Sequence, residues 1–88
     1  MNYSNLQIGE KIYYSGDQAN IEGFGTITNT NPNGWYGMQY EITMEDERIK
    51  KAILPLMFEK SPGRRFQLLT EYNEEREKII AQMKARYL

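Results

Sequence analysis

Two short runs of alternating apolar and polar residues, separated by a glycine-marked loop, constrain the fold of this chain more than any other feature. They lie within residues 8–28, where the sequence is I-G-E-K-I-Y-Y-S-G-D-Q-A-N-I-E-G-F-G-T-I-T. Glycines stand at the edges of both runs, where a positive φ or a close backbone approach is expected. Because such alternation is typical of a strand with one buried face, the segment predicts a small β-barrel.

Further strand signals follow along the chain. The clearest alternation is that of Met38, Tyr40, Ile42 and Met44 with polar residues between them. The Asn-Pro-Asn-Gly segment at residues 31–34 predicts a reverse turn. The five predicted strands cover residues 11–14, 23–29, 38–44, 48–54 and 65–69. The side chains that we expect to be buried in them are those of Ile12, Ile27, Tyr40 and Ile42.

The inward face of residues 48–54 is ambiguous, because the doublets Lys50-Lys51 and Ile53-Leu54 break the alternation. We favour Ile49 and Ile53 as the inward residues, with a bulge near Lys50 and Lys51. Pro55 cannot donate to a ladder and closes this strand, and a short apolar turn follows it.

The period of the apolar residues changes to about 3.6 at Thr70, which predicts a helix over residues 70–87. Acidic residues crowd its start and basic residues its end, so the helix dipole is compensated. Thr70 or Asn73 is the expected N-cap. We expect the barrel to occupy residues 8–69 of a single domain and the helix to cover one open end. The fold class is therefore mainly β, a five-stranded antiparallel barrel with one C-terminal α-helix.

Composition excludes several classes of protein. The 88 residues contain no cysteine and no histidine, so neither a disulfide framework nor a thiolate zinc site can form. No acid–base catalyst with an ordinary pKa near neutrality is present, and no phosphate-loop or nucleophile-elbow motif occurs. We therefore expect a protein that is not an enzyme and needs no cofactor or metal. No apolar run approaches the length of a membrane span, and a cytoplasmic location is expected.

The glycine-punctuated pattern G-E-K-I-Y-Y-S-G…G-F-G-T-I over residues 9–27 resembles the SH3-like small β-barrels, in particular their KOW and Tudor-type members. The resemblance covers residues 8–58. KOW modules present basic residues after their first strand, whereas this chain has Asp17 and Glu22 there, which weakens the RNA binding that the resemblance implies. Tudor-type barrels bind methylated cations in an aromatic cage. Four aromatic residues could supply such a cage or could be core and rim residues: Tyr13, Phe24, Trp35 and Tyr36.

Charge is strongly polarised along the chain, although the net charge is only −1. Residues 1–46 carry one basic and six acidic side chains, and residues 47–88 carry ten basic and six acidic. Within residues 48–65 six basic residues face a single acid, which would suit an acidic partner or phosphate. The alternative is an ordinary solvated surface. The candidate partner-binding cations of this segment are Lys50, Lys51, Arg64 and Arg65.

Two functions of different classes follow from these patterns. The favoured one is a small protein-interaction module that binds a protein partner through Trp35, Tyr36 and the charged surface. A compact inhibitor of a host protein, encoded by a phage or mobile element, is one form of it. The alternative is a nucleic-acid-binding barrel, which the sequence pI of about 5.4 disfavours.

Overall fold

Five antiparallel strands form one sheet, and an α-helix follows them. The structure, a computed structural model, describes residues 3–59 and 65–87. The spatial order of the strands is β4-β3-β2-β1-β5, so β1 to β4 form a meander and β5 returns to pair with β1. The elements are β1 (Lys11–Tyr14), β2 (Gly23–Gly34), β3 (Gly37–Met44), β4 (Ile49–Ile53), β5 (Phe66–Leu68) and α1 (Leu69–Tyr87). The predicted class, mainly β with one C-terminal helix, is confirmed.

The core lies on one face of this sheet, where the alternating apolar residues of four neighbouring strands meet. The four side chains that the sequence predicts to be buried are all buried, each with at most 1% of its surface exposed. They are Ile12, Ile27, Tyr40 and Ile42. Period-two alternation therefore identified the inward face of β1, β2 and β3 correctly.

Two 3₁₀ turns cover one end of the core. The first (Tyr3–Asn5) and the second (Pro55–Phe58) meet through the stacked rings of Tyr3 and Phe58, whose centroids are 5.7 Å apart. The hydroxyl of Tyr40 donates a hydrogen bond to the Tyr3 carbonyl and accepts one from the Leu6 amide at 3.2 Å. Because these bonds satisfy the one polar atom of a buried tyrosine, the large ring can fill the core without an orphaned hydroxyl.

The hairpin of β2 and β3 is longer than the sequence predicts. We expected β2 to end at Asn29 and residues 31–34 to turn, but β2 continues to Gly34 and the turn consists of Trp35 and Tyr36. Pairing shifts register between Asn31 and Gly34, so β2 has one extra residue there. A bulge of this kind tolerates Pro32, which has no amide hydrogen for the ladder, and the turn moves to the next glycine-flanked position.

A bulge in β4 overturns one predicted inward residue. Tyr40 pairs with Ile53 and Ile42 pairs with Lys50, so β4 has one residue more than β3 between these pairs. The extra residue leaves Ala52 with a φ of 58°. Ile53 is buried as expected, but Ile49 falls on the outward face and is 58% exposed, because one added residue reverses the faces on either side of it.

The helix begins one residue before the predicted position and follows a different path. Leu68 is its N-cap residue, and the Glu71 carboxylate accepts a hydrogen bond from the Leu68 amide at 3.2 Å. The Tyr72 ring packs on Tyr13 and Phe24, which lie on the outward face of the sheet. Every described side chain after Tyr72 is exposed. The expectation that the helix covers an open end of the core is therefore wrong, because its first turn packs on the outward face of the sheet and residues 73–86 are exposed.

The core assignment leads to a stability prediction. Ile42 is fully buried. The Ile42→Ala variant should therefore lose about 2–5 kcal/mol of unfolding free energy, because it loses buried apolar surface and leaves a cavity. The control Glu45→Ala changes an exposed side chain in the turn after β3 and should stay within about 0.5 kcal/mol of wild type. Urea unfolding followed by circular dichroism measures both, and equal effects would contradict the assignment.

Candidate functional site

Trp35 and Tyr36 form the two-residue turn of the β2–β3 hairpin and are the most exposed aromatic side chains of the described chain, at 88% and 76%. Glycines flank them on both sides. Gly37 has a φ of +92°, and a Cβ at Gly34 would lie 2.5 Å from the Gln39 side chain. The positive φ of Gly37 favours glycine after the turn, whereas at Gly34 the crowding comes from the flexible Gln39 side chain; both rings of the turn lie in solvent.

The turn ends a two-stranded arm that extends beyond the rest of the sheet. β1 pairs with β2 only as far as Thr26, and β4 pairs with β3 only from Tyr40. Residues 29–39 therefore have pairing partners only within the β2–β3 hairpin, and we call this segment the β-arm. It contains no charged residue and is rich in asparagine. An uncharged polar rim around exposed aromatic rings is the composition of many protein interfaces.

The four aromatic residues that could have formed a cage do not come together. Tyr13 and Phe24 are a cross-strand pair with ring centroids 5.2 Å apart, whereas Trp35 and Tyr36 lie at the far end of β2. The Tyr13 hydroxyl donates to the Glu22 carboxylate, and this bond with the neighbouring charge raises the pKa of Tyr13 to about 12. The strand direction excludes an aromatic cage made from all four rings.

Sequence reasoning missed the third ring of the real cluster, Tyr72. Its centroid lies 4.2 Å from that of Tyr13 and 5.5 Å from that of Phe24. Arg76 stands over the Tyr72 ring and donates a hydrogen bond to its hydroxyl at 3.2 Å. These contacts make Tyr13 and Phe24 the docking position for the start of α1. The signal in the sequence was the outward position of Tyr13 and Phe24 on adjacent strands.

Three of the four predicted basic residues meet around one surface cavity. The cavity has a volume of about 250 Å³, and Lys50, Lys51 and Arg65 line it together with Tyr14 and Asp17. The Lys50 ammonium lies 4.4 Å from the centre of the Tyr14 ring. The fourth predicted residue, Arg64, lies outside the described residues.

Asp17 balances part of this positive charge and orders the loop between β1 and β2. Its carboxylate accepts hydrogen bonds from the amides of Ala19 and Asn20 and from the Tyr14 hydroxyl, each 2.8 Å long. These bonds hold the pKa of Asp17 well below its usual range. Arg65 approaches the same carboxylate to 3.7 Å. The Asp-x-x-Asn spacing could have indicated this Asx-type turn.

Arg48, the remaining described cation at the start of the basic segment, is engaged elsewhere. Its Nε lies 2.6 Å from Asp46, and its guanidinium donates to the Ile21 carbonyl at 2.8 Å. The hydrogen bond from Arg48 lowers the pKa of Asp46. Arg48 thus ties the β3–β4 turn to the β1–β2 loop and lies outside the cavity lining.

No protein-family model, curated protein or solved structure matches this chain. In the described part of the chain, no helix is both long and apolar enough to cross a membrane. The described residues also contain no group of three or more acidic side chains placed to hold a metal ion.

The lowered pKa of Asp17 leads to a pH prediction. A carboxylate whose pKa is lower in the folded state than its ordinary value of 3.8 stabilises the fold above that value. Its contribution should fall as the pH drops below about 5 and the proton begins to bind. The stability difference between wild type and Asp17→Asn should therefore shrink steadily on acidification.

Urea midpoints of both proteins across an acidic pH series measure this difference. Asparagine keeps an oxygen for the loop amides but removes the charge, so the comparison isolates the carboxylate. Glu45→Gln, which removes a carboxylate from an exposed turn, is the control for loss of charge. A difference that does not vary with pH would contradict the prediction.

Proposed function

We propose that this protein is a non-enzymatic protein-interaction module that binds a protein partner through Trp35 and Tyr36 at the tip of the β-arm. The observation that carries the proposal is the exposure of both rings on the two-residue turn that ends the hairpin. Tryptophan and tyrosine are enriched among the residues that dominate binding energy at interfaces. Two rigid rings also lose little conformational entropy on binding, which favours them as anchors.

The surroundings of the tip support the same function. The β-arm has only two strands along residues 29–39, so its surface is open to a partner on several sides. Its polar side chains carry no charge and can remain hydrated at the rim while a partner encloses the rings. A partner that fits this surface has an apolar pocket wide enough for an indole, with hydrogen-bonding groups around it.

The proposed architecture is an SH3-like barrel. The order β4-β3-β2-β1-β5, with the last strand returning to the first, supports it. A further support is the near-complete burial of Ile12, Tyr40 and Ile42 on one face of a single sheet, which requires that face to curve around them. Register shifts in β2 and β4 supply local bends of the kind that such curvature needs.

The absence of cysteine and the small size of the chain support a cytoplasmic module of simple construction. A compact inhibitor of a host protein, carried by a phage or mobile element, is one form that this proposal takes. Such a protein needs one rigid binding feature on a small stable core, and the tip with the core beneath it would supply both.

The tip proposal predicts a selective loss of binding. Trp35→Ala and Tyr36→Ala should each leave the thermal midpoint of unfolding unchanged, because both rings lie in solvent. At least one of them should weaken partner binding by about 2 kcal/mol, or about 30-fold. Capture from a lysate of the native host on the immobilised full chain, quantified by mass spectrometry, identifies the partner, and titration with the purified partner gives the affinities.

Ile21→Ala is the matched control, because Ile21 is also an exposed apolar residue but lies in the β1–β2 loop. Trp35 is the only tryptophan, so its fluorescence reports directly on burial of the tip in the complex. Loss of stability in both tip variants without a selective loss of capture would overturn the proposal.

A second candidate, nucleic-acid binding, rests on the meeting of Lys50, Lys51 and Arg65 around one cavity. Phosphate groups bind such clusters, and the Tyr14 ring lines the same cavity. Asp17 is bonded within the cluster and reduces its positive charge. This acidic residue and the low pI make it the weaker candidate.

We expect no tight binding of labelled single-stranded DNA or RNA at physiological salt. Any weak binding should fall steeply with salt, and Lys51→Ala combined with Arg65→Ala should flatten that dependence. Lys78→Ala with Lys84→Ala, both on α1, is the charge-matched control. Tight binding that is lost in the Lys51→Ala, Arg65→Ala double variant but kept in the control would make nucleic-acid binding the favoured function.

A further inference from the structure

The second half of α1 exposes an apolar stripe that nothing in the described chain covers. Ile79, Ile80 and Met83 are 56%, 47% and 53% exposed. Spacings of three and four residues place Ile79, Ile80 and Met83 on one side of the helix. A contiguous stripe on one face differs from scattered surface residues and is typical of an interface.

The helix also lacks the packing that normally stabilises helices of this length. Its contacts with the sheet are made at its start, where Tyr72 stacks on Tyr13, and residues 73–86 are exposed throughout. Isolated helices of about 12–15 residues are marginal in water, because most helical stability in proteins comes from packing of an apolar face. A partner on the stripe would supply that packing.

Charge indicates what this partner is. The first ten residues of α1 carry four acidic and two basic side chains, whereas the last nine carry Lys84 and Arg86 and no acid. A second α1 in parallel would bring like charges together. An antiparallel copy brings the acidic half of each helix against the basic half of the other, while the two apolar stripes meet at the centre.

We propose that a second copy of this chain covers the stripe, with the two α1 helices antiparallel about a two-fold axis near Ile80. An axis there gathers Ile79, Ile80 and Met83 of both copies into one cluster. It also brings Glu75 and Glu77, which flank the stripe on its two sides, toward Arg86 and Lys84 at the basic end of the other copy. The interface is one helix face in size, so the dimer forms at moderate protein concentration.

Two charge variants test the pairing. Glu75→Lys with Glu77→Lys makes the helix surface beside the stripe basic, and Lys84→Glu with Arg86→Glu makes it acidic. Wild type should dimerise in sedimentation equilibrium within the micromolar to millimolar range, and each variant alone should associate at least about tenfold more weakly. An equimolar mixture of the two variants should restore the dimer, which also shows that both variants remain folded.

Further variants separate this surface from the tip. Ile80→Ser should weaken the wild-type dimer, whereas Ile21→Ser and Trp35→Ala should leave it unchanged.

Four outcomes would overturn the proposal. They are a wild-type chain that stays monomeric over the whole range, a dimer that Trp35→Ala abolishes, a dimer that both charge variants retain, and a monomer whose stripe instead binds phosphatidylglycerol vesicles in an Ile80-dependent way.

Discussion

The four residues of β1 connect the core to the helix, because their two faces serve different parts of the molecule. Ile12 and Tyr14 are buried in the core, and Tyr13 between them stacks on Tyr72 of α1. β1 is also hydrogen-bonded on both edges, to β2 and to β5. A change of one residue in its register would remove core side chains and the docking ring at once. The meander, the returning strand and the position of the helix all depend on this short segment.

Features set by local periodicity could be predicted from the sequence. Alternation identified the inward residues Ile12, Ile27 and Ile42, and the change of period placed the helix start within one residue of Leu69. The exposure of at least one of Trp35 and Tyr36 was expected, because a large aromatic pair has no room in so small a core, and the structure exposes both.

Features that depend on pairing across strands could not be predicted. The doublet of Lys50 and Lys51 indicated a bulge in β4, but the pairing with β3 decides which side of the bulge faces inward, and it leaves Ile49 outward. The Asn-Pro-Asn-Gly segment continues β2 instead of turning, because a bulge accommodates Pro32. The apolar periodicity of α1 indicated that one helix face is buried, but it did not identify the surface that buries it. Most of that face is exposed in the described chain.

The two surfaces proposed for binding can fail independently, because neither belongs to the core. The β-arm is paired only within the β2–β3 hairpin, and α1 packs on the sheet through its first turn. Substitutions at Trp35 or Ile80 therefore leave the packing around Ile42 intact and report on binding alone. The buried residues lie on one face of the sheet, while the exposed side chains proposed for binding lie on the β2–β3 turn and on α1. This division lets a small core carry interaction surfaces without placing binding residues among those that hold the fold together.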